Sequence, residues 1–274
     1  MMRILLRIVG LLLIFSALAL ALSHAPDRSV ESLVARWAPP PSDFLDVKGQ
    51  LVHYRDQGPR DDPTPLVLLH GTSASLHTWE GWVAALKTQR RVISFDLPGF
   101  GLTGPSVTND YRGDSYARFV LDVLDALRVQ RFALAGNSLG GEVAWRTALL
   151  APARVDKLIL VDAGGYVFQP KSVPIGFLAR IPVLNRLTDI VLPRGVVEQS
   201  VQQVYGDPSH VTAALVDRYF ELTLREGNRH ALVERFRQME RGADEARIKQ
   251  LKVPTLIVWG GRDRLILPTK GETA

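Results

Sequence analysis

The chain has 274 residues, 46% of them hydrophobic and 22% charged, apolar material for one large domain or two ordinary ones, which excludes a wholly disordered chain. No cysteine occurs, so disulfide frameworks, thiolate zinc sites and cysteine nucleophiles are excluded. The net charge of +5 includes Arg3 and Arg7 of a leader, and no basic run with interleaved aromatics supports nucleic-acid binding.

Residues 1–25 read as a targeting segment: Arg3 and Arg7 precede an apolar or small stretch from Ile8 to Leu22. With Ile4 to Leu6 added it approaches the ~20 residues that span a bilayer as a helix. A cleaved signal peptide and an uncleaved anchor both fit, and the anchor is the reading we favour; either leaves the basic flank cytoplasmic and exports everything after His24. Residues 26–42, ending in Ala38-Pro39-Pro40-Pro41, read as an extended, stiff, Pro-rich connector.

Residues 43–165 open with two alternating runs, Phe44 to Val47 and Leu51 to Tyr54, around Lys48-Gly49-Gln50, the pattern of a hairpin. Four unalternated apolar runs follow: Leu66 to Leu69, Val92 to Phe95, Phe132 to Ala135 and Leu158 to Val161; Thr255 to Trp259 comes after a long gap. Such runs mark strands buried on both faces, as in a parallel sheet between helices. Tyr116, Phe119, Val120, Val123, Leu124 and Leu127 recur at helical spacing and supply a covering helix. The order predicts an α/β fold with right-handed crossovers. Residues 166–247, with helices expected over Leu215 to Leu224 and Ala231 to Met239, are too long for a structureless loop and read as a helical cap; residues 248–274 return to the sheet. Ile175, Phe177, Leu178, Ile181, Val183, Leu184 and Leu187 fit an apolar pocket wall.

Gly136-Asn137-Ser138-Leu139-Gly140 stands between the run Phe132 to Ala135 and the apolar stretch Val143 to Leu150. That is the strand, sharp turn and helix of a nucleophile elbow, which strains the serine backbone and leaves no room for side chains at 136 and 140. The helix behind Ser138 would aim free amides and the positive end of its dipole at a developing anion. His70-Gly71-Thr72 follows the strand Leu66 to Leu69. Acyl transfer needs two preorganised donors for the oxyanion, and the amides of Thr72 and Leu139 are the natural pair, with His70 structural. Asp96-Leu97-Pro98-Gly99-Phe100-Gly101 reads as a loop-shaping sequence.

With these three motifs in this order, the chain from about Phe44 to Leu267 resembles the α/β-hydrolase family, in its capped branch of esterases, lipases and carbon–carbon bond hydrolases. The resemblance implies a mostly parallel sheet flanked by helices, a cap, and a triad in the order serine, acid, histidine, with no cofactor. Ser138 would be the nucleophile, and a serine there excludes the aspartate-nucleophile dehalogenases and epoxide hydrolases of the fold. The acid would be Asp263, in Trp259-Gly260-Gly261-Arg262-Asp263, with Asp162 in reserve.

The family places its histidine after the acid, yet His24, His53, His70, His77, His210 and His230 all precede Asp263, and only 11 residues follow it. The remaining strand, helix and connections would need about 25 residues, so the reading is of a hydrolase whose last strand and helix are missing; substitution by His77, His210 or His230 is the minor alternative. The expectation is an exported serine hydrolase acting on an ester or similar bond of a small apolar substrate, inactive without its base. A non-catalytic hydrolase-like binding module and a cofactor-free perhydrolase stand as alternatives.

Overall fold

The computed structural model describes residues 2–165, 190–239, 245–263 and 265–266. The predicted pocket wall, Ile175 to Leu187, and the last stretch, Pro268 to Ala274, lie outside them.

The chain opens with helix α1 (Met2–Ser23), whose Ile4, Leu11, Ile14 and Phe15 are exposed. Among the described residues no helix is long and apolar enough to cross a membrane; several side chains within α1 are outside that set. The end of α1 is tied into the protein: the Ala25 amide donates to the Ile190 carbonyl (3.0 Å) and the Leu192 amide to the Ser23 carbonyl (3.0 Å). Such a pairing of distant backbone leaves no trace in side-chain pattern.

The connector reading is corrected. Residues 26–42 contain helix α2 (Val30–Trp37), which buries Leu33 and Trp37 against Leu102 and Leu222. Leu33 and Trp37 are four apart and share one helix face; the prolines after Trp37 form a turn, closed by the Ser42 amide donating to the Pro39 carbonyl (3.0 Å).

The hairpin follows as β1 (Ser42–Val47) and β2 (Gln50–Gln57), turned at Lys48 and Gly49, both with positive φ, as a tight hairpin turn requires. Then come β3 (Leu66–Leu69), α3 (Glu80–Leu86), β4 (Val92–Phe95), α4 (Gly113–Ala126), β5 (Phe132–Asn137), α5 (Leu139–Leu150) and β6 (Val155–Val161). The described cap has α6 (Arg194–Val204), α7 (Ala213–Thr223) and α8 (Asn228–Gln238), and short α9 (Glu245–Ile248) leads to β7 (Thr255–Val258). The two cap helices expected from periodicity are present; α8 begins three residues earlier, with Gly227 in the left-handed conformation before it.

The seven strands of the described residues lie in the order β1-β2-β4-β3-β5-β6-β7, parallel from β4 onward. Helices α4 and α5 cover one face: Tyr116, Val120, Leu124, Val143 and Trp145 pack on Val67, Ile93, Phe95 and Leu134. Val83 and Trp79 cover part of the other. The runs in β3 and β4 are buried throughout, as expected for strands between two layers. Strand β7 lies at the open edge of the described sheet with all four residues exposed, Leu256 at 58%.

Under the hairpin runs a buried polar network. Fully buried Asp96 accepts from His53 Nδ1 (2.8 Å) and from the amides of Leu76 (2.7 Å) and Leu102 (2.8 Å). Burial alone would push its carboxyl up, but His53 and the neighbouring histidines hold it well below the usual carboxylate range. His77 Nε2 donates to the Trp37 carbonyl (2.9 Å) and its Nδ1 accepts from Ser75 Oγ (2.9 Å), so a neutral imidazole fastens the end of α2. Burial lowers the His77 pKa to about 4, with Arg55 and Arg218 lowering it and Asp96 and Glu80 opposing. An unfolded histidine titrates near ~6.5, so this contribution is complete above that value and is lost as the pH falls towards 4. Urea unfolding is expected to lose on the order of 2–3 kcal/mol across this window, and His77→Gln to flatten that part of the profile; an unchanged slope in the variant would exclude His77 as the cause.

Candidate active site

Parallel register brings the chemistry to one edge. Leu69 pairs with Gly136, Asn137 with Val161, and Val161 with Val258, so the loops after β3, β5, β6 and β7 emerge side by side. From β3 the chain moves outward to β4 on one side, and β5 and β6 fill the other. The β3/β5 junction is therefore the topological switch point, where open α/β sheets bind ligands.

Ser138 occupies the one-residue corner between β5 and α5, at φ 53° and ψ −116°. A non-glycine residue there costs roughly 1–3 kcal/mol and persists only when its surroundings over-determine it. They do: its amide donates to the Val161 carbonyl (3.0 Å), and its carbonyl accepts from Glu142 (3.0 Å) and Gly164 (2.9 Å) amides. Ser73 and Asp162 also have positive φ, so three strained residues meet at this edge, the distribution expected of a functional site. The glycines have the reason given from sequence. A Cβ on Gly136 would stand 2.0 Å from the Gly140 carbonyl oxygen, and one on Gly140 would stand 2.2 Å from that of Leu69.

The turn after β3 sits against the corner, since a Cβ on Gly71 would lie 3.2 Å from Ser138 Cβ. Among the described residues the amides of Thr72 and Leu139 have no acceptor, and Ser138 Oγ has no hydrogen-bond partner. Half-buried Ser138 thus lies beside two uncommitted donors, the layout acyl transfer requires. His70 is fully buried; Nδ1 donates to the Gly71 carbonyl (2.7 Å) and Nε2 accepts from the Leu97 amide (2.9 Å). With both nitrogens engaged and its pKa lowered by burial, it braces the turn.

The two candidate acids are neighbours. Asp263 Oδ1 accepts from the amides of Leu265 (2.7 Å) and Ile266 (2.9 Å). Asp162 Oδ1 accepts from Gly260 (2.7 Å), and its carboxyl is raised first by burial and then by the charge of Asp263.

None of the six histidines is hydrogen-bonded to Ser138. His53, His70 and His77 are buried with both ring nitrogens engaged; His210 is exposed beside Asp207, His230 is exposed on α8, and His24 pairs with Val191. The residues that sequence reasoning missed are Gly164, which clamps Ser138, and Glu142 behind it; the only signal was the glycine pair after Asp162.

The model of the alpha/beta hydrolase fold matches residues 64–272. The chain belongs to the alpha/beta hydrolase fold family. Among curated relatives of this alpha/beta hydrolase, the dihydrolipoyllysine-residue acetyltransferase component of the acetoin cleaving system of Pseudomonas putida is 32% identical over 81% of this chain and 57% of its own length, so this chain spans little more than half of that protein. A meta-cleavage product hydrolase from Pseudomonas fluorescens IP01 superposes with a TM-score of 0.71 at 25% identity, covering 84% of each chain. The crystal structure of a bacterial membrane phospholipase A gives a TM-score of 0.69 at 27% identity over 100% of this chain and 86% of that one. Its homologues therefore include hydrolases.

Proposed function

We propose that this alpha/beta hydrolase is an exported serine hydrolase, held at a membrane by α1, that cleaves an ester or similar acyl bond of a small apolar substrate. Ser138 Oγ attacks the carbonyl and displaces the leaving group, the amides of Thr72 and Leu139 hold the oxyanion, and water releases the acyl group from Ser138. Asp263, with Asp162 as the reserve, is the acid that would orient a general-base imidazole; none of the six histidines fills that role, so these residues by themselves are expected to be inactive or slow. The chemistry needs no cofactor. The observation that carries the reading is the strained Ser138 backbone facing the Gly71-Thr72 turn. The apolar helix behind Arg3 and Arg7, and the likeness over the whole chain to a membrane phospholipase A, support the location. The absence of a histidine bonded to Ser138 favours, as a second reading, a binding module that retains the scaffold.

Treating membranes from expressing cells with a fluorophosphonate is expected to leave the adduct on the Ser138 peptide, identified by mass spectrometry. An adduct on another residue, or none after prolonged reaction, overturns the nucleophile; labelled protein found only in the soluble fraction overturns the anchoring.

A further inference from the structure

Away from the corner at Ser138, a second serine, imidazole and carboxylate stand in one hydrogen-bonded chain at the hairpin. Antiparallel register sets Ser42 of β1 opposite Arg55 of β2. Residues two apart on a strand share a face, so Ser42, His53 and Arg55 project together. Ser42 Oγ lies 2.9 Å from His53 Nε2, and His53 Nδ1 lies 2.8 Å from Asp96 Oδ2. Asp96 follows β4, the neighbour of β2, and β3 separates that strand from the one that carries Ser138.

Donors and acceptors fix the direction of this chain. Asp96 accepts from the Leu76 and Leu102 amides as an ionised carboxylate does, so it takes the Nδ1 proton of a neutral His53 and leaves a lone pair on Nε2. Arg55 Nε donates to Ser42 Oγ (2.9 Å). A guanidinium cannot accept, so the serine hydroxyl gives its proton to Nε2. A serine and a base within ~2.6–3.2 Å, with the base oriented by a third group, is the layout of an activated nucleophile. His53 and Asp96 are fully buried, whereas Ser42 is half-buried between exposed Pro41 and Asp43. Arg55 Nη1 is held by Glu80 (3.0 Å), but Nη2 has no partner among the described residues and is not closed off from solvent. That leaves a cationic N–H beside the serine, where charge develops on an attacked carbonyl.

We infer that Ser42 is a second nucleophile, with His53 as its base, Asp96 as the orienting acid and Arg55 as the oxyanion donor, and that it takes the acyl group of a small ester. Ser42 Oγ bonds to the carbonyl carbon, the ester C–O bond breaks, and the serine proton passes through His53 Nε2 to the departing alkoxide; water then releases the acid by the same path. The full chain carrying Ser138→Ala isolates this serine from the corner, so the two nucleophiles are read separately. With p-nitrophenyl acetate it is expected to release p-nitrophenolate above the buffer rate and, after an acid quench, to carry the acetyl group on Ser42, located by mass spectrometry. A positioned general base contributes roughly 10²–10⁴-fold, so Ser42 should be acetylated about a hundred-fold faster in the folded chain than in the same chain unfolded in urea. Adding Ser42→Ala should remove both signals, with thermal unfolding checking that the fold is kept. Acetyl absent from Ser42, equal rates folded and unfolded, or release that survives Ser42→Ala would overturn it.

Discussion

Free imidazole is expected to raise hydrolysis of a p-nitrophenyl ester by the 274-residue chain, and Ser138→Ala to remove that increment. A neutral serine hydroxyl is a poor nucleophile, and a positioned general base contributes roughly 10²–10⁴-fold. None of the six histidines is hydrogen-bonded to Ser138, so basal turnover should be slow while the strained corner and its two free amides stay in place. A diffusing base lacks the effective molarity of a tethered one, which reaches ~10⁵ M or more, and rescue is therefore partial, on the order of ten-fold. Imidazole also cleaves such esters unaided, so the readout is the wild-type rate minus that of Ser138→Ala at each concentration. Identical rates for the two proteins would leave the scaffold as a binding module.

Gly140→Ala is expected to remove about 3 kcal/mol or more of stability. Its Cβ would stand 2.2 Å from the Leu69 carbonyl oxygen and 2.7 Å from that of His70, both main-chain atoms at the end of a buried central strand. Overpacking ordinarily costs ~1–3 kcal/mol, and more where the obstacle is backbone that cannot turn aside. Against the ~5–15 kcal/mol that holds a typical domain together, this is a large fraction. Gly81→Ala is the control of opposite sign: nothing lies within 4 Å of its Cβ on helix α3, so a gain of ~0.5–1 kcal/mol is expected. Urea unfolding of both variants checks the pair, and a Gly140→Ala protein as stable as wild type would mean the corner is looser than drawn.

How much was legible depended on whether the signal was local. The strands Leu66 to Leu69 and Val92 to Phe95 showed themselves as short unbroken apolar runs, because burial on both faces permits nothing else. The Ser138 corner was readable because its geometry admits glycine alone at 136 and 140. Helix α2 was missed because prolines 39 to 41 dominated the reading of its segment, and one buried pair, Leu33 and Trp37, is too short a periodicity to outweigh them. The exposure of β7 depends on what lies beside it in the sheet, which no property of Thr255 to Val258 contains.

The amino-acid sequence by itself determined the alternation of strands and helices, the tight corner with its serine, the glycine turn after β3 and the carboxylates after the last two strands, since each is a local consequence of chain geometry. Tertiary structure alone decided that the Gly71 turn touches Ser138, that Asp162 and Asp263 are neighbours, that residues 190–192 tie down the end of α1, and that Ser42, His53 and Asp96 join in one hydrogen-bonded chain. Parallel pairing makes the difference: it sets strand ends distant in sequence side by side, and a buried side chain's partner is fixed by where elements pack.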